Sequence, residues 1–241
     1  MKRVAVVRFP GSNCDFDTLH SAQRAGTDAY FVWHRESDLK GADFVLLPGG
    51  FSYGDYLRSG AIARFSPIMP AVQRFAQAGG PVLGICNGFQ ILCEAGLLPG
   101  ALVRNSRLSF VSRPVALRVE QTDTAFTNRY RKGDLLRMPV AHGDGRFVAD
   151  DRTLKELEAT GRVVVRYVGL DGGALPEPIN GSLDDIAGIS NGDGNIVGLM
   201  PHPDRAADPA IGNTDGVGFF TSMLDWTGTA SPARAARGVG A

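Results

Sequence analysis

Short apolar runs alternate with segments of helical periodicity in the first half of the chain. Four runs are rich in β-branched or other apolar residues and lie next to Gly or Pro or between polar segments: VAVVRF (4–9), AYFVW (29–33), ADFVLL (42–47) and PVLGI (81–85). Apolar positions recur at helical spacing in three segments, each stopped by glycine: 15–25, 68–78 and 89–96. Strands that alternate with helices in this way indicate a parallel sheet with both faces covered.

The pattern changes after residue 100. Three strand-like segments predict an antiparallel addition within residues 101–147: LVRN, VALRV and LLRMPV. Further on, a helix (153–160), a strand (163–167), a hairpin at NGDG and a closing helix (217–226) are predicted. We therefore expect one α/β domain over residues 1–227, with a mostly parallel central sheet, helices on both faces and a small antiparallel addition. Residues 228–241 are small and basic without apolar periodicity, which predicts a flexible tail.

Composition narrows the class of protein. The 241 residues include 25 basic and 25 acidic side chains, so no nucleic acid or anionic membrane is expected as a partner. No apolar run approaches the ~20 residues of a membrane span, and the first run is too short for a signal peptide. Three cysteines without C-x-x-C or His clustering support neither a disulfide framework nor a metal site. A cytoplasmic protein is predicted.

The stretch VLGICNGFQIL puts Cys86 between two glycines, after a strand and before a helix. This is the nucleophile-elbow pattern with cysteine in the attacking position. The glycines avoid Cβ clashes in a tight turn, and the helix N-terminus favours a thiolate. The backbone N–H of Asn87 can then face a developing oxyanion. The alternative is that Cys86 is a small buried hydrophobe, which is how we interpret Cys14 and Cys93.

A nucleophilic thiol needs a base, and the chain has four histidines: His20, His34, His142 and His202. The first two are expected to be exposed or structurally satisfied, whereas the last two follow apolar runs. His202 lies between two prolines that fix its backbone. Asp204, two residues on, could orient the imidazole. Cys86, His202 and Asp204 are therefore the predicted catalytic residues.

The strand ADFVLL runs into Pro-Gly-Gly. Glycines at this position let a main-chain N–H approach a ligand closely. We assign the Gly50 N–H as the second oxyanion donor beside Asn87, with the Phe51 N–H as the alternative. An ordinary glycine loop is the other interpretation.

Taken together, these motifs resemble the class I, triad-type glutamine amidotransferases. The closest resemblance is to the family of glutaminase subunits of phosphoribosylformylglycinamidine synthases. The matching segments run from about residue 4 to 206 in the family's order: FPGSNCDFD, LPGGFSYGDYLRSGAIA, GICNGFQIL, AHGDGRF, NGSLDDIAGI and MPHPDRA. The resemblance implies a flavodoxin-like fold.

The resemblance also implies a reaction. Cys86 would form a thioester with the side chain of L-glutamine and expel ammonia, with His202 as general base and then acid. Gln90 would contact the amide end of the substrate. The remaining residues implied at the glutamine site are Phe51, Val140, Ala141 and His142.

This chain departs from the family at one position. The family usually has glutamate two residues after the catalytic histidine, where this chain has Asp204. Aspartate is one methylene shorter, which removes roughly 1.5 Å of reach. We expect either that the backbone compensates for the shorter side chain, or that the bond between the Asp204 carboxylate and His202 is longer and the imidazole is less well oriented. The tuning of His202 as a base should be modestly impaired.

The chain lacks G-x-x-x-x-G-K-[ST] and has no other apparent phosphate loop. The resemblance implies that ammonia passes to a large synthetase subunit, with a small bridging subunit, for the ATP-dependent conversion of formylglycinamide ribonucleotide to formylglycinamidine ribonucleotide in purine biosynthesis. ATP and magnesium are expected on that partner and no cofactor on this chain. Two alternatives stay open: another cysteine hydrolase or DJ-1-like protein, and a catalytically silent docking subunit.

Overall fold

The computed structural model describes residues 1–228. Its strands are β1 (Arg3–Arg8), β2 (Asp28–Trp33), β3 (Phe44–Leu47), β4 (Val82–Ile85), β5 (Ala101–Val103), β6 (Val111–Val119), β7 (Leu135–His142), β8 (Arg146–Val148), β9 (Val163–Val168), β10 (Ile186–Ser190) and β11 (Ile196–Leu199). Its α-helices are α1 (Asp15–Arg24), α2 (Met69–Gln77), α3 (Asn87–Glu94), α4 (Asp151–Ala159) and α5 (Val217–Asp225).

Most of the strands form one mixed sheet, in the order β2-β1-β3-β4-β11-β10-β9-β6-β7. The first five strands in this order, β2 to β11, pair parallel with one another. Every pair from β11–β10 to β6–β7 is antiparallel. In the described part of the chain, β5 and β8 form a separate antiparallel pair. The predicted α/β fold with a mostly parallel sheet and an antiparallel addition is confirmed, and most of the addition continues the main sheet edge to edge.

The central strands are covered on both faces. Every residue of β3, β4, β10 and β11 is buried. In a strand, successive side chains point to opposite faces, so complete burial requires packing on both sides. The near-continuous apolar runs in the sequence are the local expression of this burial.

Local hydrogen bonds and element length explain where individual helices and strands differ from or agree with the prediction. Helix α4 begins two residues before its predicted start because the side chain of Asp150 accepts a hydrogen bond from Thr153 N at 2.7 Å. The NGDG hairpin forms between β10 and β11, where Asn191 N donates to Ile196 O at 3.0 Å. Strand β8 was not predicted, because three residues are too few to show a period.

The parallel strands bring four loops to one edge of the sheet. Strands β1, β3, β4 and β11 point the same way, so the segments that follow them meet at their carboxyl ends. Backbone hydrogen bonds join these segments: Cys14 N to Gly49 O at 3.2 Å, and Cys86 N to Leu199 O at 2.8 Å. The motifs singled out in the sequence therefore lie at a common edge.

Two sequence predictions concern the C-terminal residues and membrane-spanning segments. The predicted tail, residues 228–241, lies outside the described residues except for Gly228, and the boundary at 227 stays a prediction. Among residues 1–228, no helix has the length and apolar character needed to cross a membrane.

Candidate active site

Cys86 occupies a strained turn between β4 and α3. Its φ of 50° and ψ of −105° lie outside the regions that non-glycine residues normally adopt. A Cβ on Gly84 would lie 2.6 Å from the backbone of Gly88, and a Cβ on Gly88 would lie 2.0 Å from Leu47 O. Both positions of the G-x-C-x-G pattern therefore exclude any larger residue, and the elbow predicted from the sequence is formed.

His202 reaches the same point from the far end of the chain. A Cβ on Gly49 would lie 2.6 Å from His202 Cε1 and 3.4 Å from Cys86 Cβ. The imidazole and the thiol-bearing carbon thus flank one glycine, whose missing side chain leaves room for both. The structure brings together Cys86 and His202, which are separated by more than a hundred residues.

Asp204 orients the imidazole. His202 Nδ1 lies 3.1 Å from Asp204 Oδ1, within hydrogen-bond range, and both side chains are buried. The short 3₁₀ turn Pro203–Arg205 brings the carboxylate back toward the ring. The shorter aspartate therefore still reaches the histidine.

The surroundings of His202 bear on its protonation. Nε2 is buried and has no hydrogen-bond partner among residues 1–228. Burial by itself lowers the pKa of His202, but the charge of Cys86 and the charge and hydrogen bond of Asp204, with a further contribution from the nearby Cys14 thiol, raise that pKa well above its ordinary value. The geometry favours an imidazolium beside the thiol.

Two backbone N–H groups next to the elbow have no acceptor among the described residues. In the described part of the chain, neither Gly50 N nor Asn87 N donates a hydrogen bond. Gly50 has a φ of 144°, and a Cβ there would lie 2.4 Å from Gly11 O. The Phe51 N–H, our alternative donor, already donates to Gly11 O at 2.8 Å. The assignment of Phe51 N–H to the oxyanion hole is therefore wrong.

Side-chain amides fix the first turn of α3. Asn87 Oδ1 accepts from Ser52 N at 3.2 Å, and Asn87 Nδ2 donates to Gln90 Oε1 at 2.8 Å. Gln90 Nε2 donates to Asp144 O at 2.6 Å. Gln90 lies one turn from Cys86 as predicted, with both ends of its amide engaged by the protein.

The end of β7 lies beside the thiol. Ala141 O is 3.8 Å from Cys86 Sγ, and the neighbouring Val140 is buried. His142 Nδ1 lies 3.2 Å from Asn105 Oδ1, while His142 Nε2 is buried without a partner in the described residues. Burial and the charge of His202 lower the pKa of His142 to about 4. His142 is thus neutral where His202 favours a proton.

The remaining site residue, Phe51, is at the surface. Its side chain is partly exposed and stacks on Phe110 with ring centroids 6.4 Å apart. A contact between this ring and glutamine stays a prediction.

Sequence reasoning missed the position of Cys14. Cys14 is buried, as expected of a small hydrophobe, but Arg205 Nη2 donates to Cys14 Sγ at 3.0 Å. A Cβ on Gly49 would also lie 3.3 Å from Cys14 Sγ, so this thiol faces His202 as well. Cys14 and Arg205 are 191 positions apart in the sequence, so no local pattern could predict their contact. The interpretation of Cys14 as a small hydrophobe therefore accounts for its burial and leaves out its contacts with Arg205 and His202.

The other predicted structural residues lie away from the elbow. His20 is exposed, and His34 is buried with its Nδ1 2.7 Å from Tyr53 Oη. Burial raises the pKa of the Cys93 thiol, which favours an inert side chain. In residues 1–228, no group of three or more His, Cys, Asp or Glu side chains could hold a metal ion.

Comparison with known families matches residues 1–217 to the CobB/CobQ-like glutamine amidotransferase domain. The chain belongs to this amidotransferase family. Membership accounts for the elbow, the strand-end histidine and the glycine loop together. It favours an amidotransferase over an unrelated cysteine hydrolase or a DJ-1-like protein.

Curated relatives match this amidotransferase over nearly its whole length. It is 57% identical over 222 residues to phosphoribosylformylglycinamidine synthase subunit PurQ of Thermus thermophilus, covering 92% of this chain and 97% of that protein. It is 55% identical to the PurQ subunit of Rubrobacter xylanophilus, with the same coverage of both chains. The family resemblance read from the sequence motifs is confirmed.

Solved structures agree with the fold. A chain in the structure of PurLQS from Thermotoga maritima is 44% identical, with a TM-score of 0.82, and the match covers 93% of this amidotransferase and 98% of that chain. The glutaminase domain of Trypanosoma brucei CTPS with bound acivicin is 14% identical, with a TM-score of 0.59 over 98% and 94% of the two chains. The second likeness shows the fold alone.

The lowered pKa of His142 predicts a pH-dependent loss of stability. Between pH 6.5 and about 4, the unfolded chain binds a proton that the folded protein excludes from His142. The free energy of unfolding should therefore fall by up to about 3 kcal/mol from this group as the pH is lowered through that window. His142→Gln should remove this component. Urea denaturation at several pH values measures it.

The exposed His20 provides the control for that measurement. His20→Gln should reproduce the wild-type dependence of unfolding free energy on pH. An unchanged curve for His142→Gln would mean that His142 takes up its proton in the folded state as readily as in the unfolded one.

Proposed function

We propose that this chain hydrolyses L-glutamine to glutamate and ammonia, through a thioester on Cys86, as the glutaminase subunit of a phosphoribosylformylglycinamidine synthase. The ammonia is used in the ATP-dependent conversion of formylglycinamide ribonucleotide to formylglycinamidine ribonucleotide. The observation that carries the proposal is the meeting of Cys86 and His202 on either side of Gly49. The identity of 55–57% to PurQ subunits supports the choice of enzyme.

The first half of the reaction forms the acyl-enzyme. The Cys86 thiolate attacks the side-chain amide carbon of glutamine, and the oxygen takes up the negative charge within reach of the Gly50 and Asn87 N–H groups. The His202 imidazolium donates its proton to the leaving nitrogen. The C–N bond then breaks, which releases ammonia and leaves a glutamyl thioester on Cys86.

The second half reverses the proton transfer. Neutral His202 accepts a proton from water, whose oxygen attacks the thioester carbon. Collapse of this intermediate breaks the C–S bond and releases glutamate. The thiolate and the imidazolium are restored together. Asp204 keeps the ring in the tautomer that leaves Nε2 toward the sulfur and stabilises the positive charge.

The substrate occupies the space between the elbow helix and the end of β7. Ala141 O marks this side of the thiol, and Gln90 lies one helical turn away. Gln90 contacts the amide end of glutamine, and Val140 and His142 line the site, with Phe51 at the entrance. Because both ends of the Gln90 amide are already bonded to protein groups, binding requires an exchange of partners.

The ammonia passes to a second polypeptide. The sequence has no Walker-type phosphate loop, so ATP and magnesium belong to a large synthetase subunit, joined by a small bridging subunit. The PurLQS structure from Thermotoga maritima supports such an assembly, because one of its chains matches this one closely. No cofactor on this chain is needed for the steps above. The unpaired thiols of Cys14, Cys86 and Cys93 fit the cytoplasmic location expected from the sequence.

Labelling of Cys86 by a chloroketone analogue of glutamine tests the proposed activity. We expect one label per chain on the Cys86 peptide by mass spectrometry, slower labelling when glutamine is present, and none in Cys86→Ala. Cys93→Ala should be labelled like the wild type, because Cys93 lies outside the site. Labelling that glutamine does not slow would indicate a cysteine hydrolase for another substrate. An absence of label when the synthetase and bridging subunits are present would indicate a silent docking subunit.

Activity should depend on the partner. We expect ammonia release from glutamine to rise by about tenfold or more when the synthetase and bridging subunits are added, a coupling common between linked sites. The physical reason is the engaged Gln90 amide, which docking would free for substrate. Ammonia release is measured with and without the partners at saturating glutamine. Full activity of the isolated chain would contradict this expectation.

A further inference from the structure

We propose that Thr18, on helix α1, is a positioning residue for the catalytic histidine. Its hydroxyl holds the Asp204 carboxylate in the orientation that presents Oδ1 to His202. This inference rests on the proposed function, because it gives Thr18 a role in the same reaction.

The hydrogen bonds of Asp204 divide its two oxygens between two tasks. Oδ1 is 3.1 Å from His202 Nδ1, and Oδ2 accepts from Thr18 Oγ1 at 2.8 Å. Within the described part of the chain, no other hydrogen bond to this carboxylate is present. The Asp204 and Thr18 side chains are buried, so an oxygen left without a donor would carry a large desolvation cost. The Thr18 hydroxyl therefore fixes the rotation of the carboxylate.

Thr18 bonds away from its own helix. A threonine hydroxyl in a helix commonly returns to the carbonyl oxygen three or four residues earlier. Here Cys14 O receives the Thr18 N–H at 3.0 Å, while the hydroxyl reaches across 186 positions to Asp204. The β-branched side chain has few χ1 rotamers, so its direction is well defined. The contact is thus a specific long-range link.

Two further contacts join α1 to the same turn, one to its main chain and one to a side chain. Ser21 Oγ donates to Asp204 O at 3.0 Å, and Arg205 Nε lies 3.0 Å from Asp17 Oδ2. These bonds fix where the turn lies, but none of them touches the carboxylate. Thr18 alone among the described residues of α1 controls the group that contacts the imidazole. The Thr18 hydroxyl thereby helps the short side chain of Asp204 to contact the imidazole, which a longer side chain could reach without such help.

The proton affinity of His202 reports this role directly. Groups from every neighbouring segment face the ring: Cys86 at the elbow, Cys14 at the start of α1, His142 on β7 and Asp204 on its own turn. Of these, only Asp204 is held by the Thr18 hydroxyl, because the bond from Thr18 to Cys14 is made by the main-chain N–H and does not depend on the side chain. Without the hydroxyl, the carboxylate can rotate away from Nδ1, and its support of the imidazolium weakens.

The test is an NMR titration of the His202 ring in the full-length chain, assigned with His202→Gln. Thr18→Val, which keeps the shape and removes the hydroxyl, should lower the pKa of His202 by about half a unit to one unit. Thr18→Ser should restore it. Thr27→Val is the matched control, since the buried Thr27 Oγ1 donates to Ala22 O at 2.8 Å near the end of the same helix. That variant should titrate like the wild type.

A second background separates positioning from general structural loss. In Asp204→Asn, adding Thr18→Val should cause little further change in the His202 pKa or in kcat/KM for glutamine, whereas in the wild type it should lower kcat/KM about tenfold. The alkaline limb of the pH profile should move to lower pH in step with the titration.

Two results would overturn the proposal: a His202 pKa that is unchanged in Thr18→Val, or an equal effect of Thr18→Val in both backgrounds. The titration does not require activity. A His202 shift in a chain that shows no glutaminase activity even with the synthetase and bridging subunits present would refute the proposed function and leave the positioning role supported.

Discussion

The strained backbone at Cys86 is the constraint on which the site depends. A positive φ at a cysteine is held only because Gly84 and Gly88 lack side chains, and because Gly88 lies against the backbone of β3. The same crowding fixes the elbow at the edge where the parallel strands end. The position of the thiol is therefore set by the packing of the sheet, and every other group of the site is placed relative to it.

Two buried histidines near this thiol have opposite preferences for a proton. His202 has Asp204 at one nitrogen and Cys86 nearby, so its charged form is stabilised. Burial, followed by the neighbouring charge of His202, favours the neutral form of His142, whose Nδ1 lies beside the Asn105 amide oxygen. When two residues of the same type lie in different environments, their pKa values separate, so that one can act as an acid while the other stays neutral.

The features encoded in neighbouring residues could be predicted from the sequence. The elbow needs five consecutive positions, and the His202–Asp204 pair needs three, so both were visible as motifs. The contacts of α1 with the catalytic turn were not, since Thr18 and Asp204 are 186 positions apart. The Phe51 N–H failed as a donor for a similar reason, because Gly11 O on another loop already accepts its hydrogen bond. Such contacts depend on the topology of the chain, which cannot be read from the local sequence pattern.

Two thiols face His202, so the central claim is tested most directly by finding which of them carries the acyl group. The assembled enzyme would be mixed with glutamine, quenched in acid within a turnover and digested for mass spectrometry. We expect a glutamyl group, with the mass of glutamine less ammonia, on the peptide that contains Cys86. A glutamyl group on Cys14, or turnover that persists in Cys86→Ala, would contradict the account.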